Sequence, residues 1–357
     1  MESLRVMTGF WRDKRVLLTG HTGFKGSWLS LWLAELGAKV VGFALAPSGT
    51  PNLFDQARVG ERVQSIIGDI RDPDHVAQVM RDAQPEIVLH LAAQSLVRTS
   101  YEAPVETFAV NVMGTTHVLE AARHVGSVRS VVVVTTDKCY ENREWLWGYR
   151  EGDALGGHDP YSTSKACVEL VTSAYRRSFF TKGDIGVASA RAGNVIGGGD
   201  WAKDRIVPDM ARAALAGESV LVRNPRSTRP WQHVLDVLHG YLLLAERLHG
   251  DPARHADAWN FGPAAEDVRA VGDLADAVCS RWGGGTRWHH EAVIQPHEAG
   301  ALTLDATKAR TLLGWRPTLR FEQAVQWSID WYKAHGDRSD LAATTLGQIQ
   351  RFQELAS

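Results

Sequence analysis

The chain has 357 residues, of which 44% are apolar and 22% charged, a composition that is ordinary for a soluble globular protein with a sizeable core. Its 39 basic and 41 acidic side chains nearly cancel, which excludes a general basic surface for nucleic acid. Three cysteines without a CxxC spacing argue against a disulfide framework, and with no signal peptide or membrane-spanning apolar run in view we expect a cytoplasmic protein.

Strand-like and helix-like segments alternate along the first half of the chain. Short apolar runs that predict strands lie at residues 15–19, 38–45, 85–93, 130–136 and 185–197. Segments with helical spacing, such as residues 28–36 and 161–179, separate them. Near-continuous apolar strands that alternate with helices are typical of a parallel sheet covered on both faces. The sequence therefore predicts an α/β fold with a doubly wound, Rossmann-type parallel sheet.

The alternating pattern becomes less regular after about residue 190. We therefore predict a dinucleotide-binding domain at residues 1–190 and a smaller α+β lobe at residues 191–357, with a soft boundary. The segment DAWNFGP at residues 257–263 is typical of one more short strand. We expect the two lobes to interleave for this reason.

Three glycines follow the first predicted strand in the segment TGHTGFKGSW. Gly20, Gly23 and Gly26 allow a sharp turn and a close approach of the backbone to a pyrophosphate. The helix that begins here would offer its N–H groups and its positive dipole end to the same anion. The spacing is GxxGxxG rather than GxGxxG, and a tight turn without a ligand is the alternative. Thr22 and Phe24 lie in the same loop and belong to the predicted cofactor site.

Two further segments predict the adenosine side of the cofactor site. In GDIRD, Asp69 and Ile70 directly follow a strand, where a carboxylate could accept the adenine amino group. HLAAQ ends the next strand in small or apolar residues against which a cofactor can lie, namely Leu91, Ala92 and Ala93. The segment VVGFALAPSGTP after the second strand has neither a ribose-binding acid nor an arginine for a 2′-phosphate. The lack of that arginine favours NAD over NADP.

A tyrosine and a lysine stand four residues apart in the segment YSTSKACVEL. This spacing places Tyr161 and Lys165 on one face of a helix, one turn apart. An ammonium group near a phenol favours the phenolate, so the tyrosine could act as a base nearer neutral pH. Such pairs occur by chance in many helices, but here the pair follows a glycine-rich loop and a predicted parallel sheet, which indicates a functional pair.

The segments TGHTGFKG, GDIRD, HLAAQ, YSTSK and RAGNVIGGGD occur in the order that is typical of the extended short-chain dehydrogenase/reductase family. The sequence resembles this family over nearly its whole length. The resemblance implies NAD or NADP on a Rossmann domain and a nucleotide-sugar under the C-terminal lobe. The family includes epimerases, reductases and 4,6-dehydratases, so the reaction is the open question.

The strand SVVVVTT runs directly into an aspartate and a lysine. The resemblance places Thr136 beside the catalytic tyrosine, bonded to the sugar O4. Simple epimerases need little beyond this hydroxyl and the Tyr-Lys pair, whereas 4,6-dehydratases follow the threonine with Asp-Glu. Here Asp137 and Lys138 follow, which resembles the CDP-glucose branch of the 4,6-dehydratases. Solvated charges or a loop ion pair after a core strand are the alternative interpretation.

The resemblance implies 4,6-dehydration of CDP-D-glucose to CDP-4-keto-6-deoxy-D-glucose, with NAD as cofactor, in deoxysugar biosynthesis. Tyr161 would take the C4 hydroxyl proton while hydride passes from C4 to the nicotinamide. Lys138 would then remove the C5 proton and Asp137 would protonate the leaving C6 hydroxyl, after which the hydride returns to C6. A lysine is a base only when neutral and an aspartate an acid only when protonated, so an ion pair between them would disable both.

The resemblance also implies a set of substrate-binding residues. Asn194 would bond a phosphate oxygen or sugar hydroxyl, and Arg205 would add positive charge. Arg229 would bind the pyrophosphate, since its planar fork pairs two phosphate oxygens at once. Ser95 matches a position that contacts the hexose, and Glu298 is a candidate for the nucleoside ribose. The family chemistry needs no metal, and we predict none.

Two classes of alternative stay open. Another nucleotide-sugar 4,6-dehydratase, or an epimerase, would keep the fold and change the reaction. A non-catalytic NAD-sensing protein would keep the fold without turnover, but such proteins usually lack the tyrosine or the lysine. Helical segments at residues 106–125 and 165–179 match those that pair between subunits in relatives, so we expect a homodimer, or else a tetramer.

Overall fold

The structure is a computed structural model, and it describes residues 9–181, 183–291 and 300–356. The strands are β1 (Arg15–Thr19), β2 (Lys39–Ala44), β3 (Gln64–Ile67), β4 (Ile87–His90), β5 (Ser130–Val134), β6 (Gly186–Ala192), β7 (Val195–Ile196), β8 (Ser219–Leu221), β9 (Thr228–Pro230), β10 (Gln232–His233), β11 (Ala258–Phe261), β12 (Val268–Ala270) and β13 (Arg287–His289). The α-helices are α1 (Phe24–Glu35), α2 (Leu53–Gln56), α3 (Pro73–Ala83), α4 (Val97–Glu102), α5 (Pro104–Phe108), α6 (Gly114–Arg123), α7 (Pro160–Ser178), α8 (Ile206–Ala216), α9 (Val234–Gly250), α10 (Pro252–His255), α11 (Val271–Trp282), α12 (Phe321–Gly336) and α13 (Leu341–Leu355). Short 3₁₀ turns lie at Val59–Glu61, Asp137–Cys139 and Ala265–Asp267, and π-helical turns at Ala109–Met113 and Ala309–Leu313.

Seven strands form one parallel sheet in the order β11-β6-β5-β4-β1-β2-β3. The strand order reverses between β1 and β4, which makes a crevice beyond the carboxyl ends of these two strands. The sheet confirms the predicted doubly wound, Rossmann-type fold. Strand β11 extends this sheet beside β6, although it comes from the second half of the chain.

Both faces of the sheet are covered, which explains its near-continuous apolar strands. In β5, Val132 and Val134 belong to the core that includes Trp28 of α1. Val131 and Val133 point to the opposite core, under α3, α6 and α7. Successive side chains of a strand point to opposite faces, so a strand that is covered on both sides needs apolar residues at every position.

The carboxyl ends of four neighbouring strands bring separate parts of the sequence to one edge. Strands β1, β4, β5 and β6 are adjacent in the sheet and end at Thr19, His90, Val134 and Ala192. Because the strands are parallel, the loops that follow them lie side by side at this edge. The glycine loop, the HLAA segment, the Asp-Lys pair and Asn194 all belong to these loops.

The rest of the chain adds short strand pairs and packs its last helices back onto the sheet domain. The pairs are β7 with β10, β8 with β13 and β9 with β12. Helices α12 and α13 are joined by a hydrogen bond from Trp331 Nε1 to Thr345 Oγ1 of 2.9 Å. Phe352 of α13 packs edge-on against Trp32 of α1, with ring centroids 5.5 Å apart. Of the helices in the described ranges, none is both long and apolar enough to cross a lipid bilayer.

Candidate active site

The loop between β1 and α1 is a tight turn that requires glycine. Gly20 has a φ of +79°, and a Cβ there would lie 2.7 Å from the backbone nitrogen of Ala92. A Cβ on Gly26 would overlap the carbonyl oxygen of Gly20. At the N-cap residue Gly23 no side chain caps α1, and its first turn has no acidic residue. The amino end of this 12-residue helix therefore keeps its N–H groups free of capping side chains, which fits a dinucleotide pyrophosphate.

Hydrogen bonds hold the other loops of the predicted cofactor site beside this turn. The Thr22 hydroxyl donates to the carbonyl oxygen of Leu45 at 2.9 Å and so ties the loop to the end of β2. The N–H groups of Leu91 and Ala92 both reach Thr19 Oγ1, at 3.2 and 3.1 Å. The carboxyl ends of β1 and β4 thus carry Gly20, Thr22, Gly23, Phe24, Gly26, Leu91, Ala92 and Ala93.

The predicted adenine-binding aspartate is already ion-paired. Asp69 and Ile70 follow β3, as the sequence indicated. Asp69 Oδ2 accepts from Arg71 Nε at 2.8 Å and from Nη2 at 2.6 Å, and Oδ1 accepts the Arg71 N–H at 2.9 Å. These bonds lower the pKa of Asp69. An adenine amino group would therefore share a carboxylate with Arg71, a partner that the sequence did not reveal.

The threonine, tyrosine and lysine that were predicted to act together lie in one group. Tyr161 is in the first turn of α7, and the Thr136 side chain lies close enough to its hydroxyl to lower the pKa of the phenol. One turn further along, Lys165 Nζ donates to the carbonyl oxygen of Val134 at 3.2 Å. Helix α7 is thereby fixed to the carboxyl end of β5 at the point where Thr136 emerges.

The pKa values of this group are set mainly by burial. Burial raises the pKa of Tyr161 to about 12, although the nearby Thr136 side chain and the charge of Arg205 oppose that shift. Burial lowers the pKa of Lys165 to about 8, and the Glu169 carboxylate opposes that shift. The sequence predicted a lowered pKa for Tyr161. In the protein alone the shift has the opposite sign, because burial of the phenol outweighs the nearby cations.

Asp137 and Lys138 occupy a single 3₁₀ turn directly after Thr136. The Thr136 hydroxyl donates to Asp137 Oδ1 at 2.9 Å and accepts the Lys138 N–H at 3.3 Å. Asp137 is 1% exposed, and its Oδ2 has no hydrogen-bond partner among the described residues. Within the described residues, Asp137 and Lys138 form no ion pair with each other, so the ion-pair alternative is not found. A buried carboxylate oxygen without a partner is costly, which indicates that a ligand completes it.

Three of the predicted substrate-binding residues surround this group. Arg205 Nη1 pairs with Asp200 at 2.8 Å, and Nη2 donates to the Ser95 hydroxyl at 3.2 Å. Asp200 thereby raises the pKa of Arg205. Asn194 follows Gly193, whose Cα lies against the carboxylate of Asp137. The side-chain oxygen of Asn194 is buried and lacks a partner within the described ranges, so it too is available to a ligand.

The other two predicted substrate-binding residues are placed differently. Arg229 lies in β9 and is 3% exposed. Its Nη1 donates to the carbonyl oxygens of Thr228 at 2.9 Å and Gly300 at 3.3 Å. The guanidinium predicted to bind a pyrophosphate is therefore buried against backbone carbonyls. Glu298 lies outside the described residues.

Lys25 is a charged group of the site to which the sequence analysis gave no role. Burial, together with the cations of Arg205 and Lys165, lowers the pKa of Lys25 to about 8, and Asp137 and Asp200 oppose that shift. A signal for this residue was available, because a lysine in the first turn of a helix opposes the helix dipole and needs a reason to be there. Three cations thus converge near Asp137, which favours an anionic ligand.

This arrangement can move protons at two places on one ligand. Tyr161, with Thr136 and Lys165, can exchange a proton with a hydroxyl group. The carboxylate of Asp137 and the amine of Lys138 can exchange two more at neighbouring atoms.

The sequence of residues 17–327 matches the model of the GDP-mannose 4,6 dehydratase family. The chain belongs to this family. It is 51% identical, over 330 residues, to a CDP-glucose 4,6-dehydratase of Salmonella typhimurium, and the alignment covers 91% of this chain and 92% of that relative. It is 27% identical to a dTDP-glucose 4,6-dehydratase of Xanthomonas campestris pv. campestris, over 88% of this chain and 92% of that one.

Solved structures of the same fold include epimerases. A UDP-glucose 4-epimerase of Thermus thermophilus, solved as a complex with NAD, superposes with a TM-score of 0.78 at 26% identity and covers 89% of this chain and 99% of its own. An epimerase of Methanothermobacter thermautotrophicus has a TM-score of 0.83 at 23% identity and covers 94% of this chain and 97% of its own. At that identity the second likeness shows the fold alone.

Proposed function

We propose that the protein catalyses the NAD-dependent 4,6-dehydration of CDP-D-glucose to CDP-4-keto-6-deoxy-D-glucose, a step of deoxysugar biosynthesis. The observation that carries the proposal is the Asp137–Lys138 turn. It places next to Thr136 and Tyr161 a buried carboxylate oxygen that has no hydrogen-bond partner among the described residues. The relative at 51% identity, named a CDP-glucose 4,6-dehydratase, supports the same reaction and the same nucleotide. The protein would then be a carbon–oxygen lyase with an internal hydride transfer.

NAD fits the residues at the ends of β1 and β4. The glycine turn and the uncapped start of α1 suit its pyrophosphate, and the segment after β2 lacks an arginine for a 2′-phosphate. NAD in the Thermus epimerase structure supports the same choice. NAD held by these residues would supply the site with a hydride acceptor that can also give the hydride back.

The oxidation step falls to Tyr161, Lys165 and Thr136. Thr136 holds the sugar O4, and Tyr161 takes its proton as the C4 hydride leaves. Because the pKa of Tyr161 is about 12 in the protein alone, its phenolate needs the positive charges that surround it. Lys165 supplies one of them from the same face of α7, and it can also bond the cofactor ribose.

The elimination step falls to Lys138 and Asp137. The neutral amine of Lys138 takes the proton from C5, the C6–O bond breaks, and Asp137 gives its proton to the departing hydroxyl, so that water leaves. After hydride returns to C6, the Lys138 ammonium gives a proton back to C5. The burial of Asp137 and the absence of an ion pair with Lys138 in the described ranges support these roles.

The substrate diphosphate and sugar would lie along the same edge of the sheet. Arg205 supplies charge, and Ser95 contacts the hexose. The side-chain oxygen of Asn194, which has no partner in the part of the chain that the structure describes, takes a hydroxyl group. Arg229 and Glu298 stay in the proposed site on the family resemblance. For Arg229 this requires that a phosphate share the guanidinium with the carbonyl groups of Thr228 and Gly300.

We infer a homodimer, or else a tetramer, from apolar side chains on one side of the sheet domain. Val105 of α5 is 82% exposed, Met113 of the π-helical turn 49% and Leu170 of α7 59%. Helix α5, helix α7 and the π-helical turn pack against one another. Burial of such a patch between two copies would remove it from water.

We assign NAD binding to residues 1–190 and nucleotide-sugar binding to residues 191–357. The pairing of β11 with β6 supports lobes that interleave. All three cysteines are free thiols, which supports a cytoplasmic location.

Mass spectrometry of products formed from CDP-glucose and NAD in deuterium oxide tests the proposal. We expect loss of one water and gain of one solvent deuteron at C5. If dTDP-glucose or UDP-glucose reacted and CDP-glucose did not, the assigned nucleotide would be wrong. If every nucleotide-sugar came back with its mass unchanged and without deuterium, the elimination itself would be refuted.

A further inference from the structure

The Asp137–Lys138 turn is anchored at both ends by the hydroxyl groups of two buried residues, Thr135 and Tyr140. On its amino side, the Thr135 hydroxyl donates to Glu169 Oε1. On its carboxyl side, the Tyr140 hydroxyl accepts from Arg191 Nη1 at 2.7 Å and donates to Asn260 Oδ1 at 2.8 Å. The residues that carry the proposed chemistry therefore lie between two fixed points.

The two anchors meet in a single buried ion pair. Glu169 Oε2 and Arg191 Nη2 are 2.8 Å apart, and both side chains are 3% exposed. Ser189 donates a further hydrogen bond of 2.6 Å to the same Oε2. The Arg191 guanidinium also lies over the Tyr140 ring, 4.9 Å from its centroid. Burial alone would raise the pKa of Glu169, but Arg191 together with the hydrogen bonds from Ser189 and Thr135 lowers that pKa, so the carboxylate is charged.

The ion pair also connects the turn to the helix that carries the tyrosine and the lysine. Glu169 lies one turn after Lys165 and two turns after Tyr161 on α7, and Arg191 lies on β6. The anchor thus runs from α7 through Glu169 and Arg191 to residues 135 and 140. The hydrogen bonds of these side chains go to one another, to Ser189 and Asn260, and to the backbone of Glu151.

We propose that Glu169, Arg191 and Tyr140 are positioning residues for the elimination step, which hold the Asp137–Lys138 turn in register with the Tyr161–Lys165 face of α7. This inference rests on the proposed dehydration, and it separates the oxidation step from the elimination step. Oxidation at C4 uses groups that α7 and Thr136 place directly. Elimination at C5 and C6 uses the turn, so it depends on the anchor.

The sharpest test removes one hydroxyl and leaves the ion pair intact. Tyr140→Phe keeps the ring under Arg191 and removes only the bond between Tyr140 and Arg191 and the bond to Asn260. Thr135→Val removes the other anchor at nearly constant volume, and Thr135→Ser restores the hydroxyl. Tyr175→Phe is the matched control, because it removes a hydroxyl from α7 that bonds only Glu120 among the described residues.

The readout is the reduced nicotinamide in a rapid-mixing single turnover with CDP-glucose. Slower elimination with unchanged oxidation makes the reduced form accumulate. We expect Tyr140→Phe and Thr135→Val to slow its disappearance about ten- to a hundredfold while its rate of appearance stays the same. Thr135→Ser and Tyr175→Phe should behave like the wild type.

The outcomes separate this inference from the proposed function. If the wild type neither reduced NAD nor released water from CDP-glucose, the proposed function would fail. The positioning role would be overturned by either of two results in a protein whose wild type turns over. Both anchor variants could slow the appearance and the disappearance of reduced nicotinamide equally, or they could slow neither of them. Should Tyr140→Phe fail to fold, the comparison of Thr135→Val with Thr135→Ser decides the question alone.

Discussion

The carboxylate of Asp137 lies directly against the Cα of Gly193, so that a Cβ at residue 193 would overlap Asp137 Oδ2. Asp137 comes shortly after the end of β5, and Gly193 follows the neighbouring strand β6. The contact is therefore set by the sheet itself. The absence of a side chain at residue 193 is what leaves room for the carboxylate.

Gly193→Ala should displace Asp137 and stop elimination. The added methyl group has no free space, so we also expect an overpacking cost of about 1–3 kcal/mol in the free energy of unfolding. Product formation from CDP-glucose and urea unfolding measure the two effects. Gly152→Ala is the control, because a Cβ there meets no atom within 4 Å. Normal activity of Gly193→Ala would show that the position of Asp137 is not critical.

Removal of the acid or the base should separate oxidation from elimination. In Asp137→Asn and Lys138→Ala, Tyr161, Lys165 and Thr136 stay in place, so C4 can still be oxidised. We expect release of water to fall by about two to four orders of magnitude, the usual loss when a general acid or base is removed. Reduced nicotinamide should accumulate in both variants, and in Lys138→Ala the C5 hydrogen should also stop exchanging with solvent. Unchanged water release in both variants would refute their assigned roles.

The lowered pKa of Lys165 predicts how stability depends on pH. Its pKa falls from 10.5 in an unfolded chain to about 8 in the folded protein. Between these values the unfolded state binds more protons, so the free energy of unfolding should rise with pH, by about 1.4 kcal/mol per pH unit for one fully shifted group. Below the folded pKa the cost of burying the ammonium is present in full.

The difference between the wild type and Lys165→Met isolates this contribution, since Lys25 has a similar pKa and is present in both. Urea unfolding at about pH 7 and about pH 9.5 should show the wild type gaining stability relative to the variant. Lys203→Met, at an exposed position, is the control and should leave the pH dependence unchanged. A constant difference between wild type and Lys165→Met would mean that Lys165 is not shifted.

Arg205→Ala should weaken binding of the nucleotide-sugar more than it slows the chemistry. One charged hydrogen bond contributes about 1.5–3 kcal/mol, so we expect KM to rise about ten- to a hundredfold. Arg62→Ala is the control, because its half-exposed guanidinium pairs with Glu35 at the opposite end of the sheet domain. A fall in kcat with unchanged KM would instead indicate that Arg205 acts on the transition state.

Features that depend on local sequence could be predicted from it. The glycine turn at residues 20–26 and the Tyr161–Lys165 spacing each fit within a few residues, because backbone sterics and helix geometry fix them. The apolar alternation of strands and helices was enough to predict the parallel sheet. The adjacency of Thr136 and Tyr161 follows from the resemblance to a known family, since 25 residues separate them.

Features that depend on the balance of burial and charge could not be predicted. The raised pKa of Tyr161 reflects its burial, which a sequence pattern does not report. Arg71 as the partner of Asp69, and the engagement of Arg229 with carbonyl groups, depend on how loops close. The ion pair of Glu169 with Arg191 joins a helix to a strand. Glu169 lies in the segment YSTSKACVEL and Arg191 begins RAGNVIGGGD, but nothing in either segment indicates that the two residues pair.

The most direct test of the account follows one hydride. CDP-glucose that carries deuterium at C4 is incubated with the protein and NAD, and the product is analysed by NMR and mass spectrometry. The account predicts that the deuterium moves to the C6 methyl group of a 4-keto product as water is lost. Deuterium that stays at or returns to C4, in a product that has kept its C6 hydroxyl, would contradict it and indicate an epimerase.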